Sequence, residues 1–121
     1  MAQTVLHPLS EVTVTCHSPS IGASPIVGYA RVPFRGKVLK VGVIESAAVS
    51  ATATVTVAIN GTSITGGAIT VGATGSAAGT HNSATPTGAN NVVEDDVISF
   101  TSASGGGASV TGHYYAVIRR S

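Results

Sequence analysis

The two residues of this 121-residue chain that could act as a nucleophile and a base, Cys16 and His17, are adjacent. A thiol and an imidazole form a catalytic pair only when the two side chains meet. Neighbouring residues of a strand point to opposite faces, so this pair does not fit that chemistry. We interpret Cys16 as a small, inert, buried thiol. Because it is the only cysteine, no disulfide within the chain is expected.

Motifs for other kinds of catalysis are incomplete or absent in the sequence. Residues 61–65 read GTSIT and lack the second glycine of the Gly-x-Ser-x-Gly motif of serine hydrolases. The sequence contains no Gly-x-x-x-x-Gly-Lys phosphate-binding loop. We therefore predict that the chain is not an enzyme.

The residues that bind metals are scattered along the sequence. The four histidines, His7, His17, His81 and His113, form no His-x-His or His-x-x-x-His pair. The acidic triplet at 94–96 offers the oxygen ligands that Ca²⁺ prefers, but its spacing is more typical of a solvated turn. We expect neither a metal nor a cofactor. One alternative stays open, because a histidine near the axis of a cyclic oligomer is repeated by symmetry and can bind an ion.

The composition is poor in charge and in aromatic residues. Charged residues make up 9% of the chain, against about 25% in an average soluble domain. Such a surface favours association, so we expect much of it to be covered by other subunits. The net charge is +1, which predicts no binding to nucleic acid. The sequence has no secretory signal pattern and no long apolar run, so we expect folding in a cytoplasm and no contact with a membrane.

The central part of the sequence, residues 37–71, is the clearest strand region. Ala53, Val55, Val57 and Ile59 alternate with Thr52, Thr54, Thr56 and Ala58, which predicts a half-buried strand. Asn60-Gly61 favours a type I′ hairpin turn, because both residues accept a positive φ. We predict that residues 62–65 return along this strand and that Gly66-Gly67 turns the chain again, so that 37–71 forms a β-meander.

The other segments complete the predicted fold. Strand patterns occur at 11–15, 26–32, 97–101 and 110–119, whereas 16–25, 72–91 and 102–109 read as loops. Within the last strand, Tyr114 is expected to face the core and Tyr115 the surface. The pattern predicts an all-β, antiparallel, jelly-roll-like β-sandwich of about eight strands. We assign residues 1–25 to an N-terminal arm or edge segment and residues 26–121 to the sandwich domain.

The order of these parts resembles a family of phage proteins. The run RVPFRGKVLKVGVI is followed by VTVAINGTSITG, a Gly/Ala-rich loop, VVEDDVISFTSASGG and HYYAVIRR. Over roughly residues 31–120, this order is similar to that of small β-sandwich structural proteins of tailed bacteriophages. Capsid decoration, or cement, proteins belong to this group, and similar modules occur in head and tail fibres. The matching motifs are structural rather than catalytic.

The resemblance implies a virion protein on the capsid surface that binds the major capsid protein and stabilises the head. Threefold lattice sites are common positions for such proteins, so it also implies a homotrimer. The alternative is a head- or tail-fibre module that binds a glycan of the host cell surface. The residues that we expect to contact a partner are Val5, Leu6, Arg31, Arg35, His81, His113, Tyr115 and Arg119.

Overall fold

The computed structural model describes residues 11–21, 26–72, 76–103 and 110–120, and these contain ten strands. The strands are β1 (Glu11–Ser18), β2 (Ile26–Arg31), β3 (Gly36–Glu45), β4 (Ala53–Ile59), β5 (Thr62–Ser63), β6 (Ile69–Val71), β7 (His81–Ala84), β8 (Asn91–Val92), β9 (Val97–Ala103) and β10 (Gly112–Arg120). Every strand pairing is antiparallel. The all-β antiparallel sandwich is therefore confirmed, with ten strands in place of the predicted eight.

The strands form two sheets of five. The first sheet has the order β1-β10-β3-β7, and β8 pairs with β3 beside β7. The second sheet has the order β2-β9-β4-β5, and β6 pairs with β4 beside β5. The inner faces of both sheets supply the apolar core, as in other β-sandwiches.

The alternation of β4 is confirmed by its burial. Ala53, Val55 and Val57 are buried, whereas Thr54 and Thr56 between them are exposed. The turn that follows β4 is also as predicted, because Asn60 has a φ of 49° and Gly61 a φ of 89°. This local hairpin pairs Ile59 with Thr62.

The prediction of one meander over residues 37–71 is wrong. Strand β3 lies in the first sheet and β4 in the second, so the chain crosses the sandwich between them. The prediction that Gly66-Gly67 reverses the chain is also wrong, because β5 and β6 both run antiparallel to β4. Residues 64–68 bulge between them instead, and Thr65 there bridges to Gly88.

The imperfect alternation of β3 comes from a β-bulge. Along β10, Val117 pairs with Lys40, but the next residue pairs with Val38, so Leu39 is the extra residue. The bulge lets Val38 and Val41 both face the core although they are three residues apart.

All three segments that read as loops contain strand residues. β1 continues through Cys16 to Ser18, because β10 pairs with it along its whole length. β7 (His81–Ala84) lies within the predicted loop 72–91 and pairs with residues 41–44 of β3. The predicted loop 102–109 begins inside β9, and residues 104–109 lie outside the described residues.

The centre of the core lies where β9 faces β10. Phe100 and Tyr114 stack with ring centroids 5.1 Å apart and an interplanar angle of 8°. Both residues are fully buried, so the predicted inward direction of Tyr114 is confirmed. Burial raises the pKa of the Tyr114 hydroxyl, and hydrogen bonds from Ser18 and Ser102 oppose this rise.

Candidate functional site

The outer face of the first sheet carries a row of histidines. The strand registers place His17, His113, Ile44 and His81 side by side across β1, β10, β3 and β7. The rings of His17 and His113 have centroids 5.1 Å apart. Ile44, between His113 and His81, is 43% exposed. The row therefore brings together histidines that are far apart in sequence.

Tyr115 forms the next row and lies flat on the sheet. It pairs with Gly42 of β3, and a Cβ atom on that glycine would lie 2.6 Å from the Tyr115 ring. The missing side chain of Gly42 is what lets the ring lie across β3 and reach β7. There the Tyr115 hydroxyl hydrogen-bonds His81 Nε2, and the ring centroids are 5.4 Å apart. Partial burial raises the pKa of Tyr115.

The other end of this face is charged. The Arg119 guanidinium donates two hydrogen bonds to Glu11 Oε2, at 3.2 and 2.8 Å. Lys37 and Lys40 of β3 are exposed on the same face. We call the outward-facing residues of β1, β10, β3 and β7 the first-sheet face. It includes Glu11, Thr13, Thr15, His17, Lys37, Lys40, Gly42, Ile44, His81, Ser83, His113, Tyr115, Val117 and Arg119.

The outer face of the second sheet has the opposite character. Tyr29 is 65% exposed, Val27 40% and Val97 38%. The register places Thr101 beside Val27 and Ser99 beside Tyr29, whereas Val97 lies beside Arg31. We call this surface the second-sheet face; it comprises Val27, Tyr29, Thr54, Thr56, Ala58, Val97, Ser99 and Thr101. Among the described residues of β2, β9 and β4, only Arg31 adds an outward-facing charge, at the end of β2.

The acidic triplet at 94–96 stabilises the turn beside Arg31, at the end of β2. Arg31 Nε donates to Asp95 Oδ1 at 2.6 Å, and Glu94 lies 3.7 Å from the same guanidinium. Asp96 accepts hydrogen bonds from the Asn60 amide and the Val93 N–H, both at 2.9 Å. Asp95 has a φ of 72°, as a tight turn requires. The triplet therefore has partners within the chain, consistent with its interpretation as a turn.

A shallow cleft of about 320 Å³ lies beside this turn. It is lined by Arg35, Gly36, Asn91, Val92, Val93 and Asp96. Val93 is 50% exposed there. Next to the cleft, the Arg120 guanidinium lies 4.4 Å above the centroid of the Phe34 ring, in a cation–π contact.

Cys16 lies inside the sandwich rather than on either face. Its thiol is close to the backbone of β2, since a Cβ atom on Gly28 would lie 2.9 Å from Cys16 Sγ. Burial raises the pKa of Cys16 to about 11, so the thiol is protonated at neutral pH. The adjacent His17 points to the opposite face, toward His113. The two residues therefore do not form a nucleophile–base pair.

Within the described ranges, no group of three or more His, Cys, Asp or Glu side chains is arranged to hold a metal ion. The same residues contain no helix that is long and apolar enough to cross a membrane.

The predicted contact residues fall into separate groups. His81, His113 and Tyr115 meet on the first-sheet face, with Arg119 at its charged end. Arg31 is paired with Asp95, Arg35 lines the cleft, and Val5 and Leu6 lie outside the described residues. The prediction from sequence did not include Tyr29, Val27 or Val97. Val97 occupies the outward position of the predicted strand 97–101, whereas the small residues next to Val27 and Tyr29 give their strand a weak pattern.

Comparison with known proteins relates the chain to others by structure alone. No protein-family model and no curated protein matches the sequence. The structure is similar to a chain of the acid-stable capsid of Helicobacter pylori bacteriophage KHP30, with 12% identity, a TM-score of 0.60, and coverage of 90% of this chain and 86% of that one. A chain of the cyanophage Pam1 capsid matches at 14% identity and a TM-score of 0.54, with 100% and 94% covered.

The same fold occurs in a carbohydrate-binding module. The module CsCBM6-3 from Clostridium stercorarium, solved with cellobiose, matches at 21% identity and a TM-score of 0.56, over 84% of this chain and 72% of that one. At these identities the similarity shows a shared β-sandwich fold.

Proposed function

We propose that this chain is a non-enzymatic virion protein that decorates the outside of a phage head and cements it. The observation that carries this proposal is the second-sheet face. Tyr29, Val27 and Val97 are exposed on a sheet surface whose other side chains are small and uncharged, except for Arg31 at the end of β2. A surface of this kind, contiguous and poor in charge, is typical of a protein–protein interface.

The contrast between the two faces supports an orientation on the capsid. The first-sheet face carries Glu11, Lys37, Lys40 and Arg119 and suits contact with water. The second-sheet face would then lie against the major capsid protein. Tyrosine is among the residues that contribute most to binding energy at interfaces, which makes Tyr29 the expected anchor.

The matched capsid chains support the same proposal. The alignment covers 86% of the KHP30 chain and 94% of the Pam1 chain, so both are close in length to this one. A sandwich of this size therefore occurs in phage capsids as a separate polypeptide. Binding that requires neighbouring capsid subunits stabilises the assembled shell by mass action.

The proposed assembly is a homotrimer around a threefold axis. A stable interface buries about 800 Å² on each partner, which would cover much of a charge-poor surface. Strand β10 lies between β1 and β3, so its backbone is already paired on both sides. Only its outward side chains, such as His113 and Tyr115, are available to a neighbouring subunit. Native mass spectrometry of the purified protein at micromolar concentration is expected to show a trimer; a monomer would contradict the argument from surface charge.

Heat stability of virions tests the cement role. Particles without this protein are expected to release DNA at a lower temperature than complete particles, and adding the purified protein should restore the difference. DNA release can be followed with an intercalating dye during heating. Equal release temperatures with and without the protein would reject the cement role.

One observation favours a second candidate function, which is glycan binding. The Tyr115 ring lies flat over Gly42, with the polar residues Thr15, Ser83 and His81 around it. A half-buried ring with hydrogen-bonding neighbours can stack on a sugar through its open side, and the fold is shared with a carbohydrate-binding module. A glycan array with the wild type and Tyr115→Ala separates the two functions. Binding that the substitution abolishes would favour the fibre-module alternative.

A further inference from the structure

The first sheet contains a buried carboxylate that has no partner in the described structure. Glu45, the last residue of β3, is 1% exposed and faces the inside of the sandwich. Neither of its carboxylate oxygens has a hydrogen-bond partner. A buried charge without a partner is costly, so such a group either takes up a proton or binds a cation.

A second unpartnered oxygen lies on the neighbouring strand. Asn82 of β7 pairs with Val43, so it faces inward like Glu45. Its Oδ1 atom is buried and also lacks a hydrogen-bond partner. Glu45 and Asn82 are diagonal neighbours on the same face of two adjacent strands. Such positions are close enough for long side chains to share a ligand.

The surrounding backbone fixes these two residues. The Glu45 N–H donates to the Thr80 carbonyl at 3.0 Å, and the Gly79 N–H donates to the Glu45 carbonyl at 2.7 Å. On the other side of Glu45 lies Gly112 of β10, whose inner surface is covered by Ile21. One wall of the site is therefore apolar, and the oxygen atoms are at the β7 side.

We infer that Glu45 and Asn82 bind a calcium ion at the inner edge between β3 and β7. The two side chains offer only oxygen atoms, as Ca²⁺ and other hard cations prefer, and neither histidine nor cysteine is involved. Strand β7 has only four residues and lies at the edge of the first sheet, so an ion there would tie β7 to β3. This site departs from the expectation of no metal, and it does not depend on the proposed function.

The expected affinity is modest. Calcium sites weaken as the number of charged ligands falls, and this one has a single carboxylate. We expect a dissociation constant of roughly 10⁻⁴–10⁻³ M, comparable to extracellular calcium modules. At ten times that concentration, bound Ca²⁺ is expected to raise the Tm by about 5 °C.

The first experiment is thermal unfolding of the purified full-length protein at pH 8, in EDTA and in a CaCl₂ series up to 10 mM. Wild type is expected to show the rise in Tm with Ca²⁺ and a smaller one with Mg²⁺. Glu45→Gln should lose the response to Ca²⁺. Glu94→Gln, which changes an exposed acid in the turn before β9, is the matched control and should keep it. A wild type with no response, or Glu45→Gln with a full response, would overturn the site.

The stability of the protein in EDTA provides a check on folding. The Glu45 carboxylate is buried and without a hydrogen-bond partner when no cation is bound, which costs stability. Glu45→Gln removes this buried charge, so in EDTA at pH 8 it should unfold at or above the Tm of wild type.

Asn82→Asp distinguishes a calcium site from a direct hydrogen bond between the two side chains. With calcium, the second carboxylate should tighten binding about tenfold, as measured by calorimetry. In EDTA the same variant should be less stable than wild type, because two carboxylates then face each other. If Asn82 instead donates its amide N–H to Glu45, the variant loses stability and Ca²⁺ does not restore it, which would overturn the proposal.

Discussion

The two outer faces of the sandwich have the same backbone architecture and different chemistry. On the first-sheet face, the exposed Ile44 stands among charged and polar residues, several of which contact one another, as Glu11 does with Arg119 and His81 with Tyr115. On the second-sheet face, Tyr29 is 65% exposed among small uncharged residues. Side chains that pair within the chain stabilise the chain itself. Exposed apolar side chains gain most by contacting another molecule.

This difference shows how a chain with few charges distributes them. Charge concentrates on one sheet and at the strand ends, where Arg31 meets Asp95. Apart from Arg31 at the end of β2, the described strands of the other sheet carry no outward-facing charge that an interface would have to desolvate. We therefore expect substitutions on the second-sheet face to affect association and substitutions on the first-sheet face to affect stability.

The largest expected effect is on association. Tyr29→Glu places a charge on the second-sheet face and is expected to weaken binding to capsids about 100-fold, as loss of an interface anchor does. Cosedimentation with particles that lack the protein measures this. Thr13→Glu puts the same charge on the first-sheet face and should leave association unchanged. Equal losses in both variants would remove the distinction between the faces.

The next effect concerns the stability of the first sheet. A Cβ atom on Gly42 would lie 2.6 Å from the Tyr115 ring, so Gly42→Ala must displace that ring. We expect a loss of about 1–3 kcal/mol in the free energy of unfolding, measured with urea. Gly88→Ala is the control, because its Cβ atom would meet Thr65 at an ordinary contact distance of 3.5 Å. Similar losses for the two variants would contradict the role of Gly42.

A smaller effect separates the two tyrosines. Tyr115→Phe removes the hydroxyl that bonds His81 and is expected to cost about 1 kcal/mol of unfolding free energy. Tyr29→Phe removes the hydroxyl of a residue that is 65% exposed and should leave stability unchanged. Denaturation of both variants side by side measures the difference. Equal stabilities would mean that the contact between Tyr115 and His81 contributes nothing.

The smallest effect is that of the ion pair on the first-sheet face. The side chains of Arg119 and Glu11 are 61% and 43% exposed, so solvent screens their attraction. Glu11→Gln is expected to lower the free energy of unfolding by less than about 0.5 kcal/mol at low salt. In 1 M NaCl the difference from wild type should vanish. A difference that persists at high salt would indicate a packing role for this side chain.

Local patterns in the sequence were sufficient to predict the burial in β4, the turn after it and the direction of Tyr114. The alternation of residues 53–59 predicts which side chains of β4 are buried, because a strand turns successive side chains to opposite faces. Asn60-Gly61 predicts the turn after β4, since these two residue types accept a positive φ whatever surrounds them. The inward direction of Tyr114 and the low surface charge also follow from the sequence.

The exposure of Tyr29 on the second-sheet face could in part have been predicted from alternation. Tyr29 stands between Gly28 and Ala30 in a strand that was predicted from sequence. Its outward direction follows once Ala30 is known to be buried. Two phases of alternation fit this short strand almost equally well, because its small residues give a weak pattern. The sequence therefore did not single Tyr29 out.

The tertiary structure alone decided which strands share a sheet. Strands β3 and β4 are consecutive in the chain but lie in opposite sheets, and nothing local to residues 46–52 specifies that crossing. The segment His81–Ala84 has no strand pattern, yet it becomes β7 because it pairs with backbone groups of β3. The histidine row, the Tyr115 ring over Gly42, and the placement of Glu45 and Asn82 on one inner face all depend on that register. Sequence specifies the direction of a side chain within its own strand, whereas its neighbours across the sheet come from pairings between distant parts of the chain.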